Sequence, residues 1–144
     1  MPPELFRLRD GHESDHPFVF STLLRDYKTS DFARHMTDDR RLFFGGHHEI
    51  VERLLRRAKL DVACGIEDDA VIVGWMLWEP AATMRVHYLY TREAYRQNGV
   101  AKALVNSTVG RTDVVYSHRT RLVTSTLRNQ IPENWTYNAY AALT

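Results

Sequence analysis

The sequence predicts one α+β domain spanning residues 1–144. Three observations lead there. Apolar residues recur alternately with period two and with the 3.6-residue period of a helix. Strand-type runs crowd the middle of the chain, joined by short turns. No repeat, linker or low-complexity tract divides it. The resulting order is β-α-α-β-β-β-α-β-α-β.

Leu5-Phe6-Arg7-Leu8-Arg9 alternates apolar and basic residues, the pattern of a half-buried strand, and Asp10-Gly11 ends it. Ser14 or Asp15 can cap the helix that follows, and Pro17 is tolerated in its first turn. Phe18, Phe20, Leu23, Leu24 and Tyr27 supply its apolar positions. From Lys28 to Gly46 the signal breaks up, which predicts loops with a short helical turn around Phe32 to Met36. His48 to Lys59 is an amphipathic helix, with Ile50, Val51, Leu54, Leu55 and Ala58 opposite Glu52, Arg53, Arg56 and Arg57.

Leu60 to Ile66 and Ala70 to Trp78 are apolar β-type runs around Glu67-Asp68-Asp69, and so predict a hairpin. Glu79-Pro80-Ala81-Ala82 separates it from a strand over Arg85 to Thr91. A helix over Gly99 to Val109 turns Val100, Ala101, Leu104, Val105 and Thr108 inward. Val114 to Tyr116 predicts a strand, Arg121 to Asn129 a helix stopped by Ile131-Pro132, and Trp135 to Leu143 a last strand.

Composition excludes several functions. A net charge of +1 with scattered basic residues argues against a nucleic-acid binder. The longest apolar run, Ala70 to Trp78, falls far short of the roughly 20 residues a membrane helix needs. Arg7, Arg9 and Asp10 interrupt any leader-like apolar region, and a lone cysteine, Cys64, fits a reducing compartment, so a cytoplasmic location is expected. Cys64 alternates within an apolar strand and is expected to be a buried structural thiol. His12/His16 and His48/Glu52 have helical spacing but no recognisable third ligand, so no metal site is expected.

The most informative stretch is 88–105. A strand ending Leu89-Tyr90-Thr91 enters the turn Arg96-Gln97-Asn98-Gly99-Val100-Ala101, where a helix begins. First-turn N–H groups lack intrahelical partners and add to the helix dipole, which makes such a turn an anion cradle. Glycine at 99 permits close backbone approach, and Ala101 keeps the helix start slim. There is no Gly-x-x-x-x-Gly-Lys-Ser/Thr and no Gly-x-Gly-x-x-Gly, which removes the P-loop and dinucleotide readings. The remaining bland reading is an ordinary strand-to-helix turn capped by Asn98.

The turn resembles the acetyl-CoA-binding motif of the GCN5-related N-acetyltransferase (GNAT) superfamily, Gln/Arg-x-x-Gly-x-Gly/Ala, met here by Arg96, Gly99 and Ala101. The resemblance implies the acyl-CoA N-acyltransferase fold, a central mixed, mostly antiparallel sheet with helices on both faces. It implies acetyl transfer from acetyl-CoA to a primary amine by direct attack on the thioester. Leu89, Tyr90 and Thr91 would hold the pantetheine arm, a backbone N–H near Leu89 would face the developing oxyanion, and Arg96, Gln97, Asn98, Gly99, Val100 and Ala101 would hold the pyrophosphate. His118 would touch the cofactor arm. The family commonly ends in two strands, whereas this chain has room for little more than one.

Catalytic roles match the family less fully. The family often carries a Glu or Asp base on the central strands, but the 85–91 strand has no carboxylate. His87 is the substitute, on the strand face of Leu89 and Thr91 by simple alternation. Its imidazole, with an unperturbed pKa of about 6.5, can take a proton at neutral pH; a histidine hydrogen-bonded within the sheet is the competing reading. No tyrosine lies at 125–127, where the family's acid is often found, which leaves Tyr116, itself equally readable as a core residue.

Two functions follow. One is an N-acetyltransferase. The other is a catalytically weak or inactive module of the same fold that binds CoA or a host protein. Ser117-His118-Arg119-Thr120 and the aromatic-rich end over Asn134 to Tyr140 loosely resemble small tailed-phage proteins. The acceptor, small molecule or protein, is not legible. Trp135 offers an apolar surface for a homodimer.

Overall fold

A computed structural model of the chain describes residues 6–27, 40–96, 98–108, 112–116 and 134–138. The predicted turn at 32–36, the predicted helix at 121–129, Gln97, His118 and residues 139–144 lie outside them. Six strands form one sheet in chain order: β1 (Arg7–Asp10), β2 (Lys59–Cys64), β3 (Ile72–Glu79), β4 (Met84–Thr91), β5 (Val114–Tyr116) and β6 (Trp135–Tyr137). β1 to β4 pair antiparallel. β4–β5 and β5–β6 are parallel, so the sheet is mixed. Helices α1 (His16–Tyr27) and α2 (Arg40–Arg57) cover one face, and α3 (Val100–Thr108) the other. This is the predicted α+β architecture.

The periodicities explain the layers. On the α1/α2 face, Val19, Leu23, Val51 and Leu54 meet Val62, Cys64, Trp75, Leu77, Tyr88 and Tyr90. On the α3 face, Val100 and Leu104 meet Ala63, Val73, Met76 and Leu89. The β2–β3 hairpin closes where Gly65 N donates to Val71 O at 2.8 Å, and Asp68 Oδ1 accepts from Ala70 N at 3.0 Å, an Asx-type turn.

Three expectations need correction. The helix expected from His48 begins at Arg40 and runs through Gly45-Gly46. Glycine lowers helix preference by about 1 kcal/mol each, but a nucleated helix gains a backbone hydrogen bond per added residue. Trp135 is not an exposed interface residue; it is buried, 6.2 Å from the ring of Tyr116. His87 does not share a face with Leu89. Leu77 pairs with Tyr88 and Trp78 with Val86, which leaves His87 as the extra residue of a β-bulge. Among the described residues no helix is long and apolar enough to cross a membrane.

Candidate active site

β5 pairs with only Met84, Arg85 and Val86 of β4. From His87 to Thr91 the outer edge of β4 has no ladder partner among the described residues. Backbone direction along this edge follows from one bond: Arg92 N donates to Val73 O at 2.8 Å. Backbone polar groups alternate sides along an antiparallel pair, so Tyr88 and Tyr90 turn theirs to β3, whereas Leu89 and Thr91 turn theirs to the open side. The arm residues therefore divide. Leu89 and Thr91 offer main-chain groups to the gap, and Tyr90 contributes a buried ring 5.8 Å from Trp75. The Thr91 side-chain hydroxyl is buried with no hydrogen-bond partner.

β4 leads through a short turn (Glu93–Tyr95) into the loop before α3. Gly99 has φ +81°, the left-handed region, and nothing lies within 4 Å of where its Cβ would sit. The space above Gly99 is open. Arg96 Nε donates to Thr91 O at 3.2 Å, and Asn98 Nδ2 donates to Arg96 O at 3.2 Å. Both side chains fold back to brace the loop, and Asn98 does not act as the helix cap. Ala103 N bonds Gly99 O at 2.9 Å, so intrahelical bonding starts there. The N–H groups of Val100, Ala101 and Lys102 precede it, and α3 carries no acidic residue in its first turn. Val100 is buried against the sheet, where a Cβ at Gly74 would lie 2.8 Å from Val100 Cγ1 and 2.7 Å from Tyr90 O. Gly74 thus lets the helix start sit low on β3. An orphaned hydroxyl, a strand edge without a ladder partner among the described residues and an unneutralised helix start fit an acyl-CoA: Leu89 and Thr91 suit its amide-bearing arm, and the 99–102 main chain its diphosphate.

His87 follows Val86, the last β4 residue paired with β5 among the described residues. Its side chain is fully buried, and Nε2 lies 2.5 Å from Glu79 Oε1. The same oxygen accepts from Arg57 Nε at 3.1 Å. Arg57 belongs to α2, so the bulge has turned the imidazole toward the α2 side of the sheet. Burial pushes the His87 pKa below its ordinary value, opposed by Glu79 and assisted by Arg57 and Arg85. Burial acts to raise the Glu79 pKa, but the His87 contact and Arg57 prevail and hold it below the usual range. At neutral pH the pair is a neutral imidazole donating Nε2–H to a carboxylate.

Tyr116 stands opposite Val86 on β5. Its ring lies among Trp135 and Tyr137 on the α3 face, with centroids 6.2 and 5.4 Å away. The two catalytic candidates are thus neighbours in register, with side chains on opposite faces. Glu79 was missed by sequence reasoning, because it sits at the end of β3, outside the strand searched for a carboxylate. Its signal was the short 80–83 connection, which returns the chain from β3 to β4 so that Glu79 pairs with Arg85, two residues from His87.

Cys64 is a buried free thiol, and no three His, Cys, Asp or Glu among the described residues converge as metal ligands. A cleft of about 430 Å³ lined by Asp10, His12, Glu13, Lys59, Asp61 and Trp78 lies at the opposite end of the sheet from the cradle.

Solved structures share this architecture at low identity. A Corynebacterium glutamicum protein described as histone acetyltransferase HPA2 and related acetyltransferase matches with TM-score 0.55 and 18% identity, covering 74% of this chain and 71% of its own. Ribosomal-protein-alanine N-acetyltransferase of Brucella melitensis biovar Abortus 2308 gives 0.53 and 20%, covering 88% and 90%. YhbS of Escherichia coli, a GNAT family N-acetyltransferase solved in complex with CoA, gives 0.51 and 18%, covering 74% and 56%. No curated protein sequence matches significantly. Residues 13–112 match the profile of the acetyltransferase (GNAT) family. That span exceeds half of the chain, and the chain therefore belongs to this family, whose acyl donor is acetyl-CoA.

Proposed function

We propose that the chain is an N-acetyltransferase that acetylates a primary amine. One observation carries this reading: β4, whose outer edge beyond Val86 has no ladder partner among the described residues, leads through the 93–95 turn to an unneutralised helix start. Acetyl-CoA supplies the activated acetyl group. Leu89 and Thr91 hold the donor's arm through outward main-chain groups, and the Leu89 N–H faces the oxygen on which charge develops. The main chain of 99–102 holds the diphosphate, with Arg96 and Asn98 bracing that loop. His87 takes a proton from the acceptor's ammonium, and Tyr116, on β5, returns a proton to the departing sulfur. His118 and Gln97 are assigned to donor contacts.

Calorimetric titration of acetyl-CoA followed by thiol release across a panel of primary amines tests the reading. Binding with release for one amine class is expected. Binding without release from any amine would instead identify a binding module. Gly99→Val should weaken acetyl-CoA binding by more than tenfold, because the substitution strains the positive φ by about 1–2 kcal/mol and fills the open space. His87→Ala should lower kcat by about a hundredfold, with KM for acetyl-CoA little changed.

A further inference from the structure

We propose that Val86 sets the length of the acyl chain the protein accepts, limiting its donors to short-chain acyl-CoAs of up to roughly four carbons. The inference rests on the reading of the outer edge of β4 as the seat of the donor's arm. That arm runs from the diphosphate at 99–102 past Thr91 to the Leu89 N–H. Whatever the thioester carries therefore points onward, toward Val86. Val86 pairs with Trp78 of β3 on one side and with Tyr116 of β5 on the other. Among the described residues it is the last position of β4 laddered on both edges, so an acyl chain following the edge from Leu89 meets a fixed end there.

Length and packing define that end together. Leu89 lies three residues past Val86, roughly 10 Å of extended chain, and the bulge at His87 shortens the reach. A nonbonded contact of roughly 3.5–4 Å must be kept at the far end, which leaves length for the carbonyl carbon and about three more. Buried side chains already fill both faces at the base. On the α3 face Val86 and Tyr116 belong to the cluster that holds Leu104 and Trp135. On the other face His87 is buried against Glu79, and Tyr88 is buried and stacks on Trp75 at 5.2 Å. A longer chain must enter space these side chains occupy, and forcing methylenes into a filled core strains it. Of Val86, His87, Tyr88 and Tyr116, only Val86 carries neither a ring nor a polar side-chain atom. Shortening it deepens the base without undoing a stack or a hydrogen bond, and lengthening it fills the end.

The test is a chain-length series of acetyl-, propionyl-, butyryl-, hexanoyl- and octanoyl-CoA. Binding is read by calorimetry, and thiol release is read with the best amine of the panel. Affinity relative to free CoA should hold through butyryl-CoA and fall by roughly tenfold or more at hexanoyl-CoA. Val86→Ala should raise the hexanoyl-to-acetyl ratio of binding constants by roughly tenfold. Val86→Ile, which adds one methylene, should lower the butyryl-to-acetyl ratio. Hexanoyl-CoA held as tightly as acetyl-CoA by the unsubstituted protein overturns the proposal. So does a chain-length profile that neither substitution moves. If Val86→Ala does not fold, Val86→Ile and the unsubstituted series decide the question between them. Binding is read without turnover, so the two readings fail separately. A stepped binding series with no thiol release from any amine removes the transferase reading alone. A flat series with thiol release intact removes the Val86 inference alone.

Discussion

Arg9 and Asp15 form a bidentate pair, Nη1–Oδ2 at 2.8 Å and Nη2–Oδ1 at 2.9 Å, with side chains only 10% and 8% exposed. Asp15 also accepts from His12 N at 2.7 Å, and Arg9 reaches Asp69 O at 3.0 Å, so one ion pair ties β1, the entry to α1 and the β2–β3 turn together. Asp15→Asn leaves a buried guanidinium without its counter-charge, and urea unfolding at neutral pH should show a loss of about 3–5 kcal/mol. The Arg9 hydrogen bond holds the Asp15 pKa below the ordinary carboxylate value, against burial. The unfolded chain therefore takes up the proton first as pH falls. The pair's contribution is complete above about pH 4 and is lost as acid passes the depressed folded pKa. Stability of Asp15→Asn should lack that part of the acid dependence. Neither this pair nor Glu79–His87 was legible from sequence, since each joins residues whose proximity depends on sheet register.

At the scale of elements, Gly74 matters most. It lies under the first residue of α3, and Gly74→Ala would push Val100 and the Tyr90 carbonyl away from β3. Overpacking of this kind costs about 1–3 kcal/mol, and here it should also shift the helix start, weakening acetyl-CoA binding measured by calorimetry more than Tm. The hairpin, α3 and β5 were readable because their signals are local: alternation, acidic turn residues, a helical apolar stripe. The start of α2 was hidden by Gly45-Gly46, which weaken helix preference without breaking a helix already begun. The bulge at His87 was hidden for another reason. A bulge belongs to two strands together, and strict alternation over 85–91 placed that side chain on the wrong face. The shape of the turn before α3 was legible in outline, because it rests on main chain and a glycine; that Arg96 and Asn98 fold back to brace it depends on how the loop returns to Thr91.

For the whole molecule, the consequential feature is a fourth strand whose outer edge, among the described residues, is paired only over Met84, Arg85 and Val86. β4 is covered on both faces, by the α1/α2 cluster on one side and by the α3 cluster on the other, yet among the described residues it has a ladder on one edge only beyond Val86. Deuterium uptake should consequently follow an odd–even rhythm along a strand in the middle of the domain. Amides of Tyr88 and Tyr90, bonded across to β3, should persist, while those of Leu89 and Thr91 should be lost far sooner. Adding CoA should slow the second pair and leave the first nearly unchanged; equal rates at all four positions in the apo protein would mean the slit is closed in solution. An interior strand would then report ligand occupancy through its isotope exchange, with no change of fold required.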